Sequence, residues 1–123
     1  TGAARVALGT ELPAMFASQQ KTGETLHKIA DEVDDPLWPM PLYQPYKKML
    51  DSKVADISNI GKGGYGGAIT AALFLQAFVP DEIDWLHFDV MGWNLQSRPG
   101  HPQGGELFVI RALFNYISQR FNH

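Results

Sequence analysis

Between Gln20 and Val33 the apolar residues Leu26, Ile29, Ala30 and Val33 fall at i, i+3, i+4 and i+7, the spacing that lays one stripe along one side of a helix. Glu24/Lys28 and Lys28/Glu32 are opposite-charge pairs at i,i+4 on another face, and Asp34-Asp35-Pro36 stops the helix. Ala68–Phe78 has a different pattern. It is apolar on every face except Thr70 and Gln76, which predicts a helix buried against a sheet. Glu106–Phe121 predicts a third helix, with Ile110, Leu113, Phe114, Ile117 and Phe121 as its apolar stripe and Arg111, Asn115 and Ser118 on the wet side. Short apolar runs at Arg5–Leu8 and Ala14–Ala17, on either side of Gly9-Thr10-Glu11-Leu12-Pro13, predict two strands joined by a turn. Val54–Ser58 and Asp84–Val90 predict two more strands, and Tyr46–Leu50 a short helix. Strands alternating with helices point to an α/β fold.

Two stretches carry little periodicity. Pro36–Pro45 holds four prolines among Leu37, Trp38, Leu42 and Tyr43, and because proline cannot donate to a ladder it predicts an extended segment at a sheet edge or on the surface. Gly92–Gly105 is a long connection rich in Pro and Gly, a length that favours a functional or interface loop.

Composition narrows the class. With 123 residues there is room for one domain, and 45% hydrophobic and 19% charged residues are ordinary for a soluble globular chain. A net charge of −3 and no basic run longer than Lys47-Lys48 argue against nucleic acid or an anionic membrane surface as a partner. No apolar run approaches the roughly 20 residues of a membrane span. The chain has no cysteine, which excludes disulfides and thiolate chemistry and suits a cytoplasmic protein. It opens on Thr1-Gly2-Ala3-Ala4 without an initiator Met and runs at once into an apolar segment, so it reads as the C-terminal part of a longer polypeptide.

Candidate chemistry is sparse. Five glycines between Gly61 and Gly67 precede a helix, an arrangement that can cradle an anion, yet neither G-x-x-x-x-G-K-[ST] nor G-x-G-x-x-G is matched and Lys62 precedes the cluster. Tight packing of the loop is the alternative. His87 and Asp89 share one face of a strand, and Asp56 on the preceding strand is a possible third ligand, whereas His27, His101 and His123 lie elsewhere. A hydrogen-bonded pair at a sheet edge is the plainer reading. No G-x-S-x-G elbow occurs. Met91, Trp93 and Asn94 follow the C-terminal end of a strand, where open α/β sheets place ligands.

Three segments together resemble the C-terminal part of the leucyl aminopeptidase family, the cytosol-type two-metal peptidases. Thr1–Ala17 is similar to the family's strand that begins Ala-Thr-Leu-Thr-Gly-Ala and runs on to Ala-Leu-Gly. Ala55–Phe78 is similar to Ala-Asp-(Met/Val)-x-Asn-Ile-Gly followed by Ala-Gly-Ala-x-Thr-Ala-Ala-x-Phe-Leu. Trp85–Gly92 is similar to Trp-Ala-His-Leu-Asp-Ile-Ala-Gly. The resemblance implies the C-terminal portion of a mixed-sheet α/β/α catalytic domain of the zinc-peptidase kind. The activity it implies is removal of N-terminal residues from peptide substrates by a water held between two divalent ions, Mn or Zn.

The family's metal and catalytic residues come from Gly-Lys-Gly…Phe-Asp-(Ser/Thr)-Gly-Gly, a downstream Asp, and Asn-Thr-Asp-Ala-Glu-Gly-Arg. None of these motifs occurs here; Gly61-Lys62-Gly63 is a look-alike followed by Gly64-Tyr65-Gly66. The resemblance therefore assigns no catalytic and no metal-binding residue to this chain, and implies that the segment is inactive alone. It does assign pocket walls: Gly2, Met91 and Asn94 around the substrate's N-terminal side chain, and Ile60 beside the next one. Asn94 departs from the apolar residue of the mammalian members, and a polar wall penalises a purely aliphatic side chain unless it finds a partner. Gln103-Gly104-Gly105-Glu106 departs from Thr-Gly-Arg-Pro and is similar to a bacterial branch with Pro-Glu-Gly-Gly-Glu; Glu106 is expected to open the last helix. Family members assemble as hexamers, so a homo-oligomer is expected. Two other readings stay open: a non-catalytic binding module of the same fold, and an anion-binding domain built on Gly61–Gly67.

Overall fold

The computed structural model describes residues 1–122, so His123, set apart above from the candidate ligands His87 and Asp89, lies outside the described residues. The short strand β1 (Ala14–Ala17) organises the rest. It pairs in parallel with β2 (Trp38–Pro39) and antiparallel with β3 (Leu86–Asp89), giving a mixed sheet of order β2-β1-β3. The register sets Ala14 opposite both Trp38 and Asp89, and Phe16 opposite His87. As its prolines predict, the Pro36–Pro45 stretch supplies the edge strand.

Side chains of a strand alternate between faces, and here each face collects its own layer. Ala14 and Phe16 meet Ala4 of α1 (Gly2–Leu8) and Ala68 and Ala72 of α3 (Gly67–Gln76). Met15 meets Leu26 and Ala30 of α2 (Gln20–Glu32), Leu37, Val109 and Ala112 of α4 (Ile110–Phe121). The result is a helix/sheet/helix sandwich. A 3-10 helix at Gln44–Leu50 leans on α3, and β4 (Trp93–Asn94) and β5 (Gly104–Gly105) form a separate hairpin.

Two predicted strands are not strands. Arg5–Leu8 belongs to α1: the Thr1 hydroxyl accepts from the Ala4 N–H at 3.0 Å, Ala3, Ala4, Ala7 and Leu8 are good helix formers, and Gly9 ends the helix at φ 80°. Val54–Ser58 is a run of bends. Ser52 Oγ accepts from the N–H groups of Val54 and Ala55, and the Ser58 hydroxyl donates to the Ile60 carbonyl. Such local bonds compete with a ladder, and Val54 is left almost fully exposed.

The helices also differ from their predicted faces. On α3, Ala68, Thr70, Ala72 and Leu73 are buried while Leu75, and Phe78 just beyond the helix, stay exposed, so only one side is covered. Helix α4 starts at Ile110, not at Glu106. Its first turn is closed from afar: Asp35, itself buried, accepts from the Val109 N–H on Oδ1 (3.2 Å) and from the Ala112 N–H on Oδ2 (3.0 Å). Arg111 donates to the Asp34 carbonyl at 2.6 Å. Val109, the residue before the helix, takes the left-handed conformation at φ 69°, a strain that a β-branched residue tolerates only when surroundings hold it. With the entry so fixed, Ala112, Leu113 and Tyr116 face the core, and Ile110, Phe114, Ile117 and Phe121 face outward at 52–70% exposure.

Candidate functional site

The residues that the resemblance assigns to a pocket fall in three places. Gly2, in the first turn of α1, and Met91, just after β3, border one cavity of about 150 Å³ together with Thr1, Arg5 and Asp89. A Cβ on Gly2 would meet nothing within 4 Å, so a side chain there would project into open space. Arg5 Nη1 lies 4.0 Å from the Met91 sulfur across this space. Ile60 is 76% exposed on the turn-rich segment before α3. Its neighbours Asn59 and Gly61 border a second cavity of about 440 Å³ that reaches Ala3 of α1 and Gly67, Thr70 and Phe74 of α3. Asn94 borders neither. Buried on β4, it turns into the hairpin, where Nδ2 donates to the Pro102 carbonyl (3.1 Å) and to Glu106 Oε2 (2.6 Å). The polar wall residue thus has its partners.

Glu106 serves these partners rather than a helix dipole. Besides Asn94 it accepts from His101 Nδ1 at 2.6 Å and from the Leu107 N–H at 3.1 Å. These bonds, Asn94 first and His101 second, hold its carboxyl below the usual carboxylate range. The long Gly92–Gly105 connection is therefore an ordered hairpin. Sequence reading set His101 aside as a loop histidine and gave Glu106 another role, because their bond forms only when the turn at Arg98–His101 closes.

His87 and Asp89 do share a face of β3, and their partners differ. The His87 ring stacks between Phe16 (centroids 5.8 Å apart) and Trp85 (5.9 Å), and burial pushes its pKa below the ordinary value against the opposing pull of Asp89. Asp89 Oδ1 accepts from the Thr1 amine, while Oδ2 is buried without a partner among the described residues. Asp56 cannot join them: it sits exposed in the bends that replace the expected strand. Among the described residues no group of three or more His, Asp or Glu is placed to hold a metal ion, so two divalent ions find no fit here. No helix among them is long and apolar enough to cross a membrane.

The glycine cluster shows close packing. Gly66 is left-handed at φ 67°, and a Cβ on it would lie 3.1 Å from the Tyr46 ring, while one on Gly67 would lie 3.0 Å from Cβ of Ala3. Lys62 N–H is spent on the Met49 carbonyl at 2.9 Å.

Comparison with known proteins places this architecture. The family model described as the cytosol aminopeptidase family, catalytic domain, matches residues 1–114. A probable cytosol aminopeptidase of Prochlorococcus marinus (strain MIT 9211) is 40% identical across 99% of this chain and 25% of its own length. The crystal structure of the cytosol aminopeptidase of Coxiella burnetii superimposes with a TM-score of 0.94 at 52% identity, covering 98% of this chain and 26% of that one. The bottromycin maturation enzyme BotP, solved in complex with Mn, superimposes at 0.90 with 31% identity, covering 98% of this chain and 27% of its own. The chain spans about a quarter of the length of these relatives.

Proposed function

The chain belongs to the cytosol aminopeptidase family, and on that premise we propose that it forms the C-terminal part of the catalytic domain of a metal-dependent leucyl aminopeptidase, releasing N-terminal amino acids from peptides. The match of the family model to residues 1–114 carries this reading. Within it, Gly2, Met91 and Asn94 contribute to the wall around the substrate's N-terminal side chain and Ile60 to the wall beside the next. The common cavity of Gly2 and Met91 supports the first pair. The ions of the reaction, Mn or Zn, are held by residues outside this chain, so the 123 residues are inactive by themselves. The parent protein is a homo-oligomer, a hexamer as in the family, and works in the cytoplasm, in keeping with the relatives' names.

The test has two arms. Alone, with Mn²⁺ or Zn²⁺ added, the chain is expected to leave leucyl-p-nitroanilide intact. Grafted in place of the matching quarter of the Coxiella burnetii protein, to which it is 52% identical, it is expected to yield an active enzyme. In that chimera Gly2→Leu should fill the wall and raise KM for the leucyl substrate. Turnover by the chain alone, or a folded, metal-loaded chimera without turnover, would overturn the reading.

A further inference from the structure

We propose that Glu106 and His101 are positioning residues that hold Asn94, and that the proton on His101 sets how firmly they do so. The argument starts from donors and acceptors. Both groups facing the Asn94 amide, the Pro102 carbonyl at 3.1 Å and Glu106 Oε2 at 2.6 Å, can only accept. The carboxamide therefore has one orientation, with Nδ2 toward them and both of its N–H groups spent. Its oxygen is the hydrogen-bonding capacity that remains.

The same Glu106 oxygen meets His101 Nδ1 at 2.6 Å. A carboxylate only accepts, so Nδ1 carries the proton and Nε2 is the nitrogen left free. Arg98 and His101 exchange backbone bonds of 2.9 and 2.8 Å, which fixes the imidazole at the turn of the hairpin. Glu106 thus ties β4 through Asn94 and the turn through His101 with its carboxylate, and anchors the chain after β5 by donating its backbone N–H to the Gly92 carbonyl at 3.1 Å.

The charges around this clasp have other partners. His101 and Glu106 border a cavity of about 360 Å³ with Glu11, Asp34, Asp35, Arg98 and Arg111. Glu11 pairs with Arg98 at 3.4 Å, Arg111 donates to the Asp34 carbonyl, and Asp35 is occupied by the α4 amides. The Asp34 side chain makes no ion pair among the described residues, and Glu106 is the carboxylate in contact with His101. The ionised Glu106 already makes this hydrogen bond charge-assisted, and protonating Nε2 adds the attraction of a full positive charge on the donor. The hairpin is therefore held tighter with His101 charged and looser with it neutral.

NMR on the intact 123-residue chain tests the clasp without any need for activity. As the pH is changed, the Asn94 side-chain NH₂ and the Gly104 and Gly105 amides should move with the His101 ring. In His101→Arg, which keeps a charged donor, they should stay still. In Glu106→Gln the Asn94 resonances should shift toward those of a free amide; should that variant unfold, His101→Arg still decides. Asn94 resonances that ignore His101 in the native chain, or that titrate unchanged in His101→Arg, would overturn the clasp.

Discussion

On one side of β1, Ala14 and Phe16 lie against Ala4, Ala68 and Ala72; on the other, Met15 lies against Leu26, Ala30, Val109 and Ala112. In the first layer the helices meet Phe16 with small residues, so they approach closely, to the point that Gly67 has no room for a Cβ beside Ala3. The second uses larger side chains and adds a buried carboxylate, Asp35, that completes the hydrogen bonds of α4. Both cover a sheet, yet they fail differently. A layer of small residues is vulnerable to added volume, and a layer closed by a charged group is vulnerable to losing that group.

Asp35→Ala should give the largest effect, since it orphans two buried N–H groups at once: a loss of about 2–4 kcal/mol, read from the urea midpoint. A change below half of that would show that water replaces the carboxylate and that the layer does not depend on it. Ala72→Leu, in the small-residue layer, should cost about 1–3 kcal/mol by overpacking. A neutral result would mean α3 can withdraw from the sheet, and the contrast between the layers would be gone. Phe114→Ser, on the outward face of α4, should alter stability by less than about 0.5 kcal/mol. A larger loss would mean this stripe is packed in solution, as its periodicity had suggested.

That last residue shows where sequence reading reached its limit. The stripe Ile110–Leu113–Phe114–Ile117–Phe121 predicted α4 and its type, but the inward face follows from how the chain enters the helix. That entry depends on a left-handed Val109 and on Asp35, more than seventy positions upstream. Helix α2 was legible because its stripe and stop signals are local, and the edge strand because proline marks it directly. Helix α1 was misread because its apolar run hid a Thr1 cap and a Gly9 stop. As for the site, Gly2 and Met91 were named from motifs and border one cavity. Ile60 and Asn94 were named the same way and lie apart from it. The partners of Asn94 sit eight and twelve positions along the chain, beyond a turn whose closure no local pattern announces.

The reach of the Asp35 bond has a mechanical meaning. It joins positions 74 and 77 residues apart, and β1 pairs with β3 across 75 positions at Ala14↔Asp89 down to 69 at Ala17↔Leu86. The bends at 51–65, by contrast, lie mostly in solvent and contribute little to that connection. Protease cleavage in those bends would sever the covalent link while leaving two pieces gripped by the sheet ladder and the carboxylate.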